Sequence, residues 1–502
     1  MTSSAPSTAA PRAGADGDAG AARGARYALI VLALLWPAQL LSLIGMLTGN
    51  AQAKVALHFH TTQIQWFLLS SALVGTAIAP FVIKAADLYG KHQVMIVITV
   101  LGLIGDVIAA AAPSYGVMLA GRAIAGFYAP IAALAYAAVR EVLPPKKAVA
   151  ASSIMGSGIA LVALGGPFLT GWLLDSFGFR GVLWAMATAT AISLVLLVGF
   201  LPGTDYRDPE ARMDWIGGTL LGGGLAALTF GIGKGTEWGW TNASTLGFII
   251  GGLIALVLFV ISQNVVKHPF VHLAMLKRRP VWTVVMATAL TGGAVFGAAV
   301  ISQLLALYPK VVVPYPIPGG NGATTMVHMS DGLGWSATHN AIVGIPASIT
   351  ILALGFGTGI AVRKIDSRLP YRLGALLVAI GFALQASFHH NATQLIAASF
   401  GYALGFGMIV AVGPVLVIEA VAPEEQALAS GVQNMAMGVV TTLVTTLCYV
   451  VLSHHQMVLQ GTALYLDQGY KDAFYFGAAV AAVGLLAALL IPRLKRVSEL
   501  QG

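Results

Sequence analysis

What most constrains this chain is a series of fourteen apolar runs, each long enough for a helix to cross a lipid bilayer. A helix rises about 1.5 Å per residue, so roughly 20 apolar residues span a hydrocarbon core about 30 Å thick. In the first part of the chain the runs fall at residues 27 to 47, 63 to 83, 93 to 113, 117 to 139, 150 to 173, 180 to 201 and 215 to 233. Those at 244 to 265, 281 to 308, 339 to 361, 371 to 389, 394 to 420, 428 to 453 and 472 to 492 complete the series. Period-two alternation is absent, which argues against a membrane β-barrel. The expected fold is therefore an all-α, polytopic membrane protein whose main partner is the lipid bilayer. Only 9% of residues carry charge, against about 25% in an ordinary soluble domain.

Residues 1 to 26, rich in Ala, Gly, Ser and Pro, are expected to be a disordered tail, because they bury too little apolar surface to offset chain entropy. The run that follows is too long for a signal-peptide core and no small-residue cleavage site follows it, so it reads as a retained first span. The single cysteine, Cys448, lies within a span and leaves no intrachain disulfide to form.

Charge sets the orientation. With the N-terminus in the cytoplasm, 21 of the 27 Lys and Arg residues fall on that side. Lys54, Arg180, Lys234, Lys310 and Lys471 fall outside, and Arg122 lies within a span. The positive-inside rule then puts both termini, including the tail 493 to 502, in the cytoplasm of a cell whose plasma membrane holds the protein. The net charge of +8 suits anionic headgroups and does not call for nucleic acid.

Several motifs punctuate the spans. Asp87-Leu88-Tyr89-Gly90-Lys91-His92 joins spans two and three, with opposite charges at the cytoplasmic mouth and a glycine that permits a tight turn. Span four carries Gly121-Arg122-Ala123-Ile124-Ala125-Gly126, and span five carries Gly165-Gly166-Pro167-Phe168-Leu169-Thr170-Gly171-Trp172. The latter predicts a bend or a tight helix interface, since proline removes a backbone donor and glycine lets helices approach. Met213-Asp214-Trp215-Ile216-Gly217, Glu237-Trp238-Gly239-Trp240, His268-Pro269-Phe270 and Leu276-Lys277-Arg278-Arg279 mark the middle of the chain. Together these stretches resemble the major facilitator superfamily, and within it the fourteen-span drug:proton antiporter family. Two departures stand out: Ile83 replaces the glycine that precedes the Asp87 loop in the family, and Ser42 stands where the family offers an acid in its first span.

The resemblance implies a major facilitator fold with two six-helix bundles, residues 27–201 and 281–492, and two additional helices in 202–280. It also implies a proton-coupled secondary transporter, with protons as coupling ion, that exports small amphipathic or hydrophobic compounds by alternating access. Asp87, Gly90 and Lys91 would form a cytoplasmic gate, repeated in degenerate form by Asp366 and Arg368 within Arg363-Lys364-Ile365-Asp366-Ser367-Arg368, with Glu419 nearby. Gly165, Gly166, Pro167 and Gly171 would form the antiporter-like bend. Proton-linked uptake, lipid or metabolite export, a non-transporting receptor or scaffold, and a membrane-embedded enzyme stay open as alternatives.

Charges inside a membrane cost about 2.5 to 3.5 kcal/mol on insertion scales, so they face partners or wet cavities. Asp106 and Arg122 flank the short turn Ser114-Tyr115-Gly116, each about eight residues, or roughly 10 to 12 Å, from it. Equal depth permits pairing, and protonation of Asp106 would release Arg122. Trp36, Gln39 and Ser42 make the first span polar and, with Gly126, are candidate cavity-lining positions.

His58, His60, His328, His339, His389, His390, His454 and His455 fall on the external side in spacings that match no metal motif, so no metal and no cofactor is expected. The external connection 309 to 338, dense in Pro and Gly, speaks against a helix or central strand and is expected to cap the outer entrance. Gly231-Ile232-Gly233-Lys234-Gly235-Thr236 lacks the hydroxyl after lysine that a phosphate loop needs, which rejects ATP as energy source. No nucleophile, base and orienting carboxylate share an informative spacing, so an enzyme is not expected.

Overall fold

The computed structural model describes residues 13–203, 212–266, 273–316, 324–362, 364–422 and 425–493. Thirteen helical stretches among them are long and apolar enough to cross a membrane. In chain order the first elements are α1 (Ala13–Phe59), α2 (Gln65–Tyr89), α3 (Lys91–Ala111) and α4 (Tyr115–Ala125), then a 3-10 turn (Gly126–Tyr128), α5 (Ile131–Val142) and α6 (Pro145–Phe200). The middle holds α7 (Trp215–Trp238), α8 (Ala243–Val265) and the short α9 (Leu273–Leu276). Then follow α10 (Arg279–Leu307), β1 (Lys310–Pro316), β2 (Thr324–Asp331), α11 (Ala337–Ala361), α12 (Arg368–Ser387), α13 (Ala392–Ala420), α14 (Gln426–Ser453), β3 (Gln456–Leu459), β4 (Thr462–Tyr465) and α15 (Asp467–Leu489).

Helix α6 is two passes. Gly178 at φ 66° breaks it into two limbs, in a backbone conformation that glycine adopts without a Cβ clash. The reverse holds for α4 and α5, which make one pass with a bend at Gly126–Tyr128 and Pro130. The fourteen sequence runs therefore each correspond to one pass.

In the first bundle α1 packs on α5 and α6, α2 on α4, and α3 on α4 and α6. The second repeats the scheme: α10 packs on α14 and α15, α11 on α13, and α12 on α13 and α15. Helices α7 and α8 pair with each other, and α7 rests against α2 and α14. Asp214 caps α7 by accepting from Gly217 N at 2.7 Å and ties it to α8 by accepting from Gln263 Nε2 at 2.9 Å. At the other end of α7, Lys234 Nζ donates to Gln63 Oε1 at 3.1 Å and to Glu237 Oε2 at 2.6 Å, over the rings of Trp66 and Trp238.

The end of the molecule where α1 starts and α15 finishes is called here the terminal face, and the opposite end the far face. Two expectations change at these ends. Helix α1 begins at Ala13, inside the stretch read as a disordered tail; its six alanines between 13 and 25 favour helix over coil. It also continues to Phe59, well beyond residue 47, where polar Asn50 and Gln52 are buried and Gln52 bonds to Tyr449 of the second bundle. Residues 1–12 and 494–502, His268-Pro269-Phe270 and Arg363 lie outside the described residues.

On the far face the connection 309 to 338 contains the antiparallel hairpin β1–β2. Both strands of a two-stranded sheet are edges, so Pro314 and Pro316 are tolerated in β1. A second hairpin, β3–β4, turns through Gln460 and Gly461, both at positive φ, as the twist of a tight hairpin requires.

Candidate functional site

Glycine brings the intramembrane charges together. A Cβ on Gly105 would strike the backbone of Gly121 and Ala125, and one on Gly121 would strike Gly105 and Ala109. Helices α3 and α4 can therefore touch backbone to backbone, which sets the neighbouring Asp106 and Arg122 side by side. Arg122 Nη1 donates to Asp106 Oδ1 at 3.2 Å, with the two residues 3% and 1% exposed. Thr190 of α6 donates to Asp106 Oδ2 at 2.7 Å, and Tyr128, just beyond α4, is buried. Arg122 Nη2 also donates to Thr48 of α1 and Ser71 of α2, each at 3.3 Å, and its guanidinium lies 5.8 Å from the Phe67 ring centre. Among the described residues the buried Arg122 Nε has no hydrogen-bond partner. Five passes thus converge on one ion pair, and removing either charge leaves the other stranded away from water.

Thr48 links this pair to the contact between bundles. The adjacent Gly49 sits against the side chain of Gln303 on α10, and one turn on Gln52 bonds to the Tyr449 hydroxyl of α14. Nearer the far face, Ala463 N donates to Thr61 O at 3.3 Å. At the same end Asp175 accepts from the backbone of Ala337 at 3.2 Å and Thr338 at 2.9 Å, the first turn of α11. A carboxylate there meets the positive end of the helix dipole. These contacts seal the two bundles together on the far face.

Toward the terminal face the same helix stripes separate. Ser42 and Gly45 continue the face of α1 that carries Gly49; Ser42 is exposed and Gly45 meets nothing. On α14, Gly431, Asn434 and Gly438 share the face of Thr445 and Tyr449; all three are exposed, whereas Thr445 bonds to Gly297 O of α10 at 3.3 Å. On α10 the face of Gln303 also carries Phe296, 49% exposed. The bundles therefore enclose a wedge that opens to the terminal face and is lined by small, weakly polar and aromatic groups.

At the terminal face Gly90 turns the chain from α2 into α3 at φ 92°. Lys91 pairs there with Glu141 at the end of α5, and Asp87 also engages a partner. The second bundle repeats the placement: Ser367 Oγ donates to Glu419 Oε2 at 2.5 Å, at the end of α13. Asp366 chelates Arg368, whose Nη2 lies 2.5 Å from Oδ2, and this hydrogen bond holds the Asp366 carboxyl below its ordinary range despite partial burial. Arg368 and Arg372 donate to the carbonyls of Ala488, Leu489 and Ile491, capping α15.

Other sequence candidates find different work. Trp36 Nε1 donates to Ala189 O at 2.9 Å and Gln39 Nε2 to Met155 O at 2.8 Å, so both fasten α1 to α6 and do not line the wedge. Gly126 abuts the backbone of Ser71 and Gly75, a helix contact and not a cavity wall. Ser42 alone of that group faces the wedge. Pro167 lies inside α6, Gly166 meets Met46, Gly165 meets open space, and Gly171 touches Ala337 and Thr338 across the bundle boundary. Sequence reasoning missed Asp175, Gln52, Tyr449, Phe296 and Asn434. Only the spacing of Gly431, Asn434 and Gly438 marked one of them.

The profile of the family described as Major Facilitator Superfamily matches residues 27–320 and 319–502. The chain is 28% identical over 371 residues to a uridine/deoxyuridine transporter of Lactococcus lactis, covering 71% of this chain and 72% of that one. It is 25% identical over 443 residues to the tetracenomycin C resistance and export protein of Streptomyces glaucescens, covering 83% and 76%. A match to a Mycobacterium tuberculosis transporter spans 48% of that protein's length. Among solved structures, a POT family transporter in complex with 5-aminolevulinic acid superposes with TM-score 0.60 at 14% identity, covering 93% of this chain and 95% of that one.

Proposed function

Because this chain belongs to the major facilitator superfamily and is a multi-pass membrane transporter, we propose that it is a proton-coupled antiporter that exports small amphipathic or hydrophobic compounds. The terminal face is cytoplasmic in this reading, so the wedge receives substrate from inside. Its lining of Ser42, Asn434 and Phe296 offers dispersion and neutral hydrogen bonds, which suits amphipathic solutes better than strongly charged ones.

The observation that carries the coupling is the reach of Arg122 from Asp106 to Thr48, one residue from the Gly49 contact with the other bundle. A proton arriving at an Asp106 carboxylate oxygen cancels its charge and frees Arg122 Nη1. Arg122 then depends on its α1 and α2 hydroxyl partners, which biases α1 at the level of the seal. The Asp175 cap and the Gln52 to Tyr449 bond would break as the far face opens, and loss of the proton would reset the pair. The likeness to an export protein named for tetracenomycin C supports efflux.

A second reading, proton-linked uptake of a nucleoside-like solute, draws on the likeness to a uridine/deoxyuridine transporter and on Ser42 in place of a first-span acid. Purified protein in sealed vesicles with an imposed pH gradient decides between them. Efflux predicts that hydrophobic cations or dyes move against the proton gradient, and that Asp106→Asn abolishes this drive. Uridine accumulation down the proton gradient supports the second reading, and flux indifferent to the gradient refutes both.

A further inference from the structure

On the far face of the second bundle, the turn between α12 and α13 meets the start of α15. His389 Nε2 lies 2.9 Å and His390 Nε2 3.1 Å from the same oxygen, Asp467 Oδ1. The three ligand atoms all lie within 4.8 Å of one another. Nothing in the transport reading uses this cluster.

Its hydrogen bonding is informative. His389 Nδ1 lies 2.8 Å from the backbone carbonyl of Gln385, which can only accept, so the ring hydrogen sits on Nδ1. A neutral ring then aims its Nε2 lone pair at a carboxylate oxygen that also only accepts. Two lone pairs at this separation repel, and a positive centre between them removes the conflict. A proton would serve one histidine. The His390 ring, however, stacks on His389 with centres 4.5 Å apart and planes 18° apart, and reaches for the same oxygen. A neutral His390 can donate its own Nε2 hydrogen there, and as a lone-pair donor it can instead join His389 and Asp467 on one divalent cation, which accepts all three lone pairs at once.

Stacked, near-parallel rings keep their in-plane lone pairs from meeting on one ion, so the exposed His390 ring must swing out of the stack on binding; the surroundings suit such an ion. Bonds of about 2.0 to 2.2 Å in a tetrahedral site place ligand atoms about 3.4 Å apart, a few tenths of an ångström from the separations to Asp467. The Gln385 carbonyl orients His389 as an outer-sphere partner orients a metal-bound imidazole. Asp467 N donates to Asp331 Oδ2 at 3.0 Å, so the main chain at Asp467 is tied to β2, and Asp331 in turn pairs with His328 at 2.7 Å. His389 is 1% exposed and His390 has 55% of its side chain exposed, which leaves one side for water. Two imidazoles and one carboxylate select Zn²⁺ and its neighbours over Mg²⁺ or Ca²⁺.

We propose that His389, His390 and Asp467 bind one divalent transition-metal ion of the Zn²⁺ class. The ion staples the α12–α13 turn to α15 and, through Asp331, to hairpin β1–β2. It joins parts of one bundle only, so it stiffens the outer end of that bundle and leaves the seam between bundles free to open.

The test titrates ZnCl₂ into untagged full-length protein in detergent at about pH 7.5, where free imidazole is largely neutral, by calorimetry and by thermal unfolding. Co²⁺ in place of Zn²⁺ adds a visible ligand-field band that reports nitrogen coordination. The expected result is one saturable equivalent and a raised Tm reversed by EDTA. His390→Ala, exposed enough to leave packing intact, and Asp467→Asn weaken Zn²⁺ binding by about tenfold or more. His455→Ala, whose Nε2 lies 3.2 Å from Asp472 elsewhere on the far face, leaves binding unchanged. No saturable binding to the wild type, or binding that survives both His390→Ala and Asp467→Asn, overturns the proposal. Transport activity is not the readout, so failure here and failure of the transport reading are separate results.

Discussion

Asp175 offers the sharpest handle on alternating access, because it is a single side chain that crosses from one bundle to the backbone of the other. Its carboxylate holds the N–H groups of Ala337 and Thr338 at 3.2 and 2.9 Å, while Ser336 caps the same turn by accepting from His339 N at 3.1 Å. Loss of a helix-capping acceptor costs about 0.5 to 2 kcal/mol, and loss of an anion at a helix N-terminus about 0.3 to 1 kcal/mol. Asp175 is exposed and Ser336 remains, so the two costs overlap and about 1 to 2 kcal/mol is expected in total. At 1.4 kcal/mol per factor of ten, Asp175→Ala shifts the balance of far-face-closed to far-face-open protein by about 5- to 30-fold toward open. Spin labels at Lys54→Cys on α1 and Val458→Cys on β3, both exposed, read the separation of the bundles by pulsed electron resonance. The native Cys448 is fully buried and stays unlabelled. The longer-distance population should rise in Asp175→Ala and rise less in Asp175→Asn, which keeps one acceptor. An unchanged distance distribution in Asp175→Ala would show that this contact carries no conformational energy.

Asp106→Asn strands the Arg122 cation and should cost about 3 to 5 kcal/mol of stability, seen as a lowered Tm together with loss of gradient-driven flux; full gradient-driven flux in this variant would remove Asp106 from the coupling. Gly90→Ala forces an L residue to φ 92°, a strain of about 1 to 2 kcal/mol that thermal unfolding would register, and an unchanged Tm would mean the turn relaxes freely. Asn434→Trp fills the wedge at an exposed position, so flux should fall at least several-fold while Tm holds; undiminished flux would place the substrate elsewhere. Asp366 has a depressed folded-state pKa, so its pairing with Arg368 stabilises above the unfolded value of about 3.9 and is lost as pH falls through the lower folded value. The stability difference between wild type and Asp366→Asn should therefore stay flat from about pH 5 to 8 and vanish only below about pH 4; a slope near neutrality would contradict that sign.

Lipid made the passes legible in sequence, because hydrocarbon leaves a backbone few choices and each pass needs its own apolar length. The same logic failed where protein replaced lipid as the neighbour. The apolar run ends near residue 47, yet Gln52 beyond it is buried against Tyr449, 397 residues away. Polar residues inside a span also have two physical uses that sequence does not separate: facing water in a cavity, or binding a neighbouring helix's carbonyl. Trp36 and Gln39 take the second course and Ser42 the first. Depth along two helices joined by a short turn permitted the Asp106 and Arg122 pairing without fixing it; the close glycine contact of α3 and α4 brings it about. The hydroxyl shell of the pair was not legible, because Thr48, Ser71 and Thr190 come from three other passes. Asp175 lacked any local mark, its partners lying 162 and 163 residues along the chain.

The internal repeat sharpens where titratable chemistry resides. Asp87 and Asp366 occupy matching loops, and Glu141 and Glu419 end matching helices, so the second bundle copies the first at an offset of about 279 residues. That offset carries Asp106 on α3 to Gln385 on α12, a residue 4% exposed whose Nε2 donates to Ser399 of α13 at 3.3 Å. The position equivalent to Arg122 falls at Gly401, where α12 and α13 cross closely. The first bundle thus holds an ion pair where the second holds a neutral amide and hydroxyl. A proton can change the charge of the first arrangement and has nothing to titrate in the second. A conformational cycle driven by this pair must begin in the first bundle and reach the second through α1, and Thr48 beside Gly49 is the route the bonding provides.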